Sequence, residues 1–422
     1  MSTESLSRKD IHFFSWNDTL DRQAYVLAGY YVESPFDPEL VAFGMAKEQS
    51  AGLVQMRDPR HNPSPAALAR VVSVEVLGES QQPILPQYRL NTGVYKMVGE
   101  GSVFTRARIC IAYPLINLNA SLTNLWNVVF GELPRLGFLN AIRLVDLDIP
   151  KSFLANFPGP RHGLNGLRNI LAVRGRPLFC RSCRPAVGLD VEAMCAINEA
   201  VLRGGFDAVK DDELTVDSAL APYQERVTAL ARTTRRLEQE TGERKLYFVN
   251  IIDDPAKSFE QLRIAEKAGA DGVLIAPAIQ GLAFAGFIAQ RTELPIIAHN
   301  SVEDIFTRYQ KFGVSPATYL KLMRMSGADL VFLPPYFGTA EANHEELQLA
   351  VTACRKPLDQ IQPSLPIIAG GKQPDKLAEY AAIIGSPDFM VIAATSVDEY
   401  PRGLEAGARA FRQAWDRFAT QS

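Results

Sequence analysis

The chain has 422 residues, 47% of them hydrophobic and 22% charged, with a formal net charge of −3. That is the composition of a soluble globular protein long enough for two domains. No basic block points to nucleic acid, no stretch approaches a membrane span, and five cysteines in so long a chain do not make a disulfide scaffold. The opening MSTESLSRKD is polar and lacks the apolar core of a secretory signal, so a reducing cytoplasm is the expected location.

The first 150 residues predict an α+β domain of ferredoxin-like type. Residues 25–33 (YVLAGYYVE) pattern as a strand, and 38–51 as a helix opened by Asp37-Pro38. Residues 66–78 and 103–113 follow as strands, 121–131 as a helix and 141–149 (AIRLVDLDI) as a strand. The proline-rich FPGPRH (157–162) marks a crossover into a second domain, taken as 151–422. There the rhythm changes. Eight apolar runs appear: Pro177–Cys183, Asp207–Glu213, Leu246–Ile252, Gly272–Ala278, Pro295–Asn300, Leu330–Pro335, Leu365–Gly371 and Phe389–Thr395. Between them lie amphipathic stretches such as 192–203, 224–240, 257–268, 315–326 and 404–417. Eight strand-then-helix units in about 250 residues predict an α/β TIM (β/α)8 barrel, whose parallel strands are apolar because helices cover them.

Chemistry concentrates in GGFDAVKDDE (204–213). Lys210 and Asp212 lie two apart on a predicted strand, so they share a face, and Glu213 falls where the strand runs out. Mg²⁺ takes hard oxygen ligands, commonly one or two carboxylates plus waters. An ammonium at Lys210 would repel it. A deprotonated amine that captures CO₂ becomes a carbamate, an anionic oxygen ligand, and the cluster then makes sense as a metal site. The plainer reading is a solvated run of charge at a strand end. Cys180 and Cys183 form a C-x-x-C, but residues three apart on a strand face opposite ways and no second pair follows, so they predict core residues and not a zinc or redox site.

The same decapeptide resembles the metal-binding motif of the RuBisCO large-chain family, and the resemblance extends in order along most of the chain. GRPLFCRSCRPAVGLD (175–190) looks like that family's first barrel strand and FVNIIDD (248–254) like its third. PIIAHNSVEDIF (295–306) looks like the fifth, RMSGAD (324–329) leads into the sixth, LPIIAGGKQP (365–374) looks like the seventh, and AGARAFRQAW (406–415) like the last helix. The resemblance implies Mg²⁺ held by carbamylated Lys210, Asp212 and Glu213. It also implies catalytic work for His299, substrate contacts from Gly370 and Gly371, and a homodimer in which Glu48 of KEQSAG reaches the partner's site. Asn250 is expected near the metal, as a hydrogen-bond partner behind its ligands or in contact with substrate.

Departures from a carboxylating RuBisCO narrow the activity. Arg184 stands for the proton-handling lysine; an arginine stays charged but grips a carboxylate in two parallel hydrogen bonds. Thr339 stands for the mobile-loop lysine, Asn300 for an arginine, Phe332 for a histidine and Ala369 for a serine, so the second phosphate site is mostly gone. Ala393 and Ala394 replace glycines beside the first. Fixation of CO₂ on ribulose bisphosphate is therefore not expected, and the chain looks like a form IV RuBisCO-like protein. Val128 occupies the place of the base used by methionine-salvage enolases. What remains is an enolate-forming decarboxylase or transcarboxylase of a phosphorylated oxo-sugar acid, with Arg184 on the substrate carboxylate and His299 handling a proton. The alternatives are a keto-sugar phosphate enolase and a non-catalytic metabolite binder. The plain readings of the single residues stay open beside these: a structural ion pair for Arg184, a strand-end histidine for His299, a surface carboxylate for Glu48.

Overall fold

A computed structural model of the chain describes residues 8–86, 102–335 and 343–420. The expected counterpart of the mobile-loop lysine, Thr339, lies outside them. The chain divides into two compact units, Met1–Asn156 with Asp304–Tyr319, and Phe157–Glu303 with Leu320–Ser422.

The first unit is built on strands β1 (Tyr25–Ser34), β2 (Arg70–Ser80), β3 (Phe104–Pro114) and β4 (Ala141–Asp148). They pair antiparallel in the order β4-β1-β3-β2. With helix Pro38–Glu48 after β1 and helix Leu122–Trp126 after β3, this is the ferredoxin-like arrangement. The predicted helix start is real. Asp37 accepts a hydrogen bond from the Glu39 amide (2.9 Å), and Pro38 fills a position that needs no donor. One feature departs from the expected single boundary at residue 150. The short β10 (Gly313–Val314) pairs in parallel with β4 and extends this sheet, so residues 304–319 return to the first unit.

The second unit holds the eight expected strands: β5 (Leu178–Ser182), β6 (Ala208–Lys210), β7 (Leu246–Asn250), β8 (Gly272–Ile275), β9 (Ile296–Ala298), β11 (Leu330–Phe332), β12 (Leu365–Ile368) and β13 (Met390–Ile392). They close into a parallel barrel. Alternate residues point inward, among them Leu178, Cys180, Leu246, Phe248, Leu330, Leu365 and Met390, and fill the interior as a packed core. Cys180 belongs to that core, and burial pushes its thiol, like that of Cys183, up to about 12. Gly272 is required by the packing, since a Cβ there would lie 2.3 Å from the Phe248 ring. Outward residues meet the helices, as where Phe179 packs with Phe206 and with Phe411 of helix Leu404–Ala419 at 5.8 Å ring separations.

Helix Gly163–Leu171 closes the end of the barrel opposite the strand C-termini, burying Leu167 and Leu171 against the inward layer. The buried Asp329 fixes it there, accepting from the amides of His162 (2.7 Å), Gly163 (2.7 Å) and Ile296 (2.9 Å). Three donors would lose their acceptor together in Asp329→Ala. The expected cost is about 3 kcal/mol or more, read as a lowered thermal midpoint; a midpoint equal to that of the parent chain would remove Asp329 from the support of this end.

Candidate active site

The C-terminal strand ends surround a cavity of about 250 Å³, lined on one side by Ser182, Arg184, Lys210, Glu213 and His299. Lys210 is the last residue of β6 and its side chain is only 2% exposed. Its Nζ donates to the Asp211 carbonyl (3.0 Å) and to Glu213 Oε2 (3.2 Å). Asp212 Oδ2 accepts from Ser182 Oγ (3.1 Å) and Arg184 Nε (3.1 Å), while its Oδ1 accepts from the Leu214 amide (3.2 Å).

His299 stands one residue past β9, with Nε2 3.2 Å from Glu213 Oε2. The Ser301 amide points at Nδ1 (3.2 Å), and an amide can only donate, so Nδ1 is an acceptor and the ring proton sits on Nε2. The Ser301 hydroxyl lies 2.7 Å from the same Nδ1. Burial, and after it the nearby Lys210 charge, holds the imidazole below its usual range against the opposing pull of Glu213, which agrees with a neutral ring. For Glu213, burial pushes the pKa up, but the His299 hydrogen bond and the Lys210 charge outweigh it and keep the carboxyl well below the ordinary range. Glu213 is thus ionised at neutral pH.

Arg184 follows β5 on a loop. Its side chain is 51% exposed, and among the described residues only its Nε has a partner, which leaves both terminal nitrogens open to a ligand. Across the cavity, Gly370 (φ 77°) and Gly371 (φ 63°) are consecutive left-handed residues after β12, a conformation that favours glycine. Neither amide donates to a described residue, and a Cβ at either position would meet nothing within 4 Å. Ser396 Oγ steadies the loop by donating to the Lys372 carbonyl (2.8 Å).

Asn250, expected either behind the metal ligands or against substrate, is buried and absent from the cavity wall. Its Nδ2 donates to the carbonyls of Asp212 (3.3 Å), Glu213 (3.1 Å) and Thr215 (3.1 Å), and its Oδ1 accepts from the Ile252 amide (2.9 Å). It stands behind the loop that carries the carboxylates and not on the substrate side. Two residues escaped the sequence reading. Ser182 was legible, because residues 178, 180 and 182 share the inward face of β5; Ser301, beyond a strand end, carried no periodic signal. Glu48 ends helix Pro38–Glu48 in the first unit.

Residues 163–422 match the family model for the ribulose bisphosphate carboxylase large chain, catalytic domain. The chain belongs to the RuBisCO large-chain family. It is 32% identical to the RuBisCO-like protein of Allochromatium vinosum, over 96% of this chain and 87% of that one. It is 31% identical to the 2,3-diketo-5-methylthiopentyl-1-phosphate enolase of Geobacillus kaustophilus, over 82% of this chain and 80% of that one. The crystal structure of a RuBisCO-like protein from Burkholderia fungorum superposes with a TM-score of 0.85 at 28% identity, covering 94% of this chain and 95% of that one.

Among the described residues no three His, Cys, Asp or Glu side chains form a metal-ligand group. A cation of the kind RuBisCO proteins use therefore depends on Lys210 for its third ligand. The donor chemistry fits. Asp212 and Glu213 offer hard oxygens, Glu213 Oε1 accepts from no other described residue, and the Lys210 amine already meets Glu213. Opposite, Phe332, Leu333, Ala369 and Ile392 make that part of this RuBisCO-like cavity apolar, with the Phe332 ring 4.8 Å from that of His299. The glycine pair yields a direct expectation. Gly371→Ala strains a left-handed residue by roughly 1–2 kcal/mol and puts a methyl group in front of the free amides. A phosphorylated ligand should bind several-fold more weakly by calorimetry, with inorganic phosphate as the probe; unchanged binding would detach these amides from any anion.

Proposed function

We propose that this RuBisCO-family chain is a Mg²⁺-dependent, enolate-forming carbon–carbon lyase that decarboxylates a phosphorylated oxo-sugar acid. The observation that carries the reading is the free guanidinium end of Arg184 at the rim of the Lys210–Asp212–Glu213 cluster, where it meets a substrate carboxylate without leaving Asp212. Asp212, Glu213 and the carbamate formed on Lys210 are the proposed ligands. Mg²⁺ held there supplies a Lewis acid that stabilises negative charge on a substrate oxygen as CO₂ departs.

The chain's own residues do the rest. Arg184 grips the carboxylate through two parallel hydrogen bonds. Gly370 and Gly371 offer backbone N–H groups to the phosphate, the usual barrel position for one. His299 holds a proton at Nε2 beside Glu213 and passes it to carbon, while the half-buried Ser301 hydroxyl gives its own proton to Nδ1 and takes one from solvent, so the ring remains neutral and the serine is not left ionised. The apolar wall around Phe332 keeps water from the reacting face.

We further propose a homodimer with shared sites, Glu48 of each chain serving the cavity of the other. In support, Val187, Leu214 and Val216 are large apolar side chains exposed on the loops after β5 and β6.

A second reading, an enolase that moves a proton and breaks no carbon–carbon bond, is favoured by the apolar wall and by the enolase name of the Geobacillus kaustophilus relative. Val128, in the turn Asn127–Gly131, carries no basic group for such a reaction. The test is turnover of a panel of keto-sugar phosphates, with and without a carboxyl group, in Mg²⁺ and bicarbonate. Loss of one carbon by mass spectrometry and loss of turnover on chelation are expected; a product that keeps every carbon would replace the lyase with the enolase. Glu213→Gln should lower kcat by at least about 10³ (on the order of 4 kcal/mol in the barrier). A ¹³C carbamate resonance in labelled bicarbonate should vanish in Lys210→Arg.

A further inference from the structure

Asp211, between Lys210 and Asp212, points away from both. Its carboxylate is fully buried behind the site, with Oδ1 accepting from the Tyr247 hydroxyl (2.8 Å) and Oδ2 from the Asn250 amide (3.2 Å) and Arg226 Nη2 (3.4 Å). Arg226 comes from helix Tyr223–Thr241 and is equally buried. Its Nη1 donates to the carbonyls of Val216 (3.0 Å) and Ala221 (3.3 Å), and its guanidinium lies 5.2 Å from the centre of the Tyr223 ring. The Nε finds no partner. A buried ion pair with an unmatched nitrogen is poor value for stability, since apolar residues of the same volume commonly do as well or better. What this pair achieves is placement. One planar group ties the strand end at Asp211 to both ends of the segment 216–221, and the stretch between, with Asp212 and Glu213, is drawn taut over it.

We infer that Arg226, acting through Asp211, is a positioning residue that sets Asp212 and Glu213 at the spacing a divalent cation needs. The inference rests on the proposed metal site and adds the support behind it. Groups that orient metal ligands from behind typically cost 10–100-fold in metal affinity when removed.

The experiment measures Mn²⁺ affinity by EPR titration in bicarbonate, with a thermal melt of each sample, for the full chain and for Arg226→Lys and Arg226→Met. Arg226→Met with Asp211→Asn, which removes both charges, stands in if the single variant fails to fold. Expected are parent-like secondary structure and Mn²⁺ binding weaker by about 10–100-fold in the methionine variants. Arg226→Lys, which keeps the charge but not the three-way fork, should fall between. Folded variants that melt lower yet bind Mn²⁺ as the parent does would overturn the inference and leave the metal site standing. A parent chain that takes up no Mn²⁺ would overturn the proposed function and this inference with it.

Discussion

Side chains of an extended strand alternate between its two faces, and at the end of β6 that alternation sorts four consecutive ionisable groups by destination. Lys210 and Asp212 share one side, Lys210 reaching the cavity and Asp212 covered by Ser182 and Arg184; Asp211 goes to the helix side, and Glu213, past the ladder, folds back to meet Lys210 and His299. A one-residue slip in the pairing of Ser182 with Lys210 would exchange the two sets, placing Asp211 in the cavity and burying Lys210 against Arg226. The strand is only three residues long, so the register depends on its neighbours: β5 and β7 pair with it on both sides, and Asp207 anchors its start through two hydrogen bonds from Arg176.

Packing Asp212 and Glu213 with Lys210 and Arg184 beside a cavity walled by Phe332, Leu333 and Ile392, and Asp211 with Arg226 behind it, is tolerable because each charge has a counterpart within hydrogen-bond reach. Lys210 and His299 hold Glu213 ionised, Arg184 and Ser182 serve Asp212, and Arg226 with Tyr247 serves Asp211. The balance is local. Under the proposed function, a carbamate on Lys210 would set a third anion beside Asp212 and Glu213, and a divalent cation would offset the added charge. Carbamate formation and cation binding would then be coupled in this geometry.

The eight strands were legible because parallel strands covered on both faces must be apolar throughout. Each predicted run nevertheless overshoots the strand's C-terminal end by up to three residues: Asp211 to Glu213 beyond β6, His299 and Asn300 beyond β9, Gly370 and Gly371 beyond β12. The overshoot has a cause. Residues just past each ladder sit at the open end of the barrel, and among them Glu213, His299, Asn300, Gly370 and Gly371 line the cavity. The ferredoxin-like order of the first unit followed from the succession of strand and helix patterns. Two features had no such pattern. At two residues, β10 is too short for any periodicity, and its place is fixed by an edge of β4 that only the folded sheet presents. The Arg226–Asp211 pair was hidden because helix Tyr223–Thr241 carries four arginines, and sequence does not tell which of them turns inward. For Asn250 the position on β7 was visible, but not which of its two expected places, behind the carboxylates or against substrate, its hydrogen bonds would choose.

The order of strands around the barrel gives the cavity a polarity. Charged and hydrogen-bonding groups come mostly from β5, β6 and β9, whereas β11, β12 and β13 contribute Phe332, Leu333, Ala369 and Ile392, with Thr395 and the Gly370–Gly371 backbone as polar groups on that side. A ligand with ionised groups at both ends and several hydroxyls between would leave those that face the apolar side chains without a partner, at a cost of about 1–3 kcal/mol for each one buried. A ligand whose reacting carbons face β6 and whose one remaining anionic group reaches the rim loses nothing. Under that constraint the free end of Arg184 becomes decisive, because it lies on the polar arc next to Asp212 and not at the rim. Under the proposed function, a carboxylate held there would lie beside the reacting carbons, and the bond to it would be the one placed to break; a substrate without that group would leave the guanidinium to solvent and confine the same side chains to moving a proton.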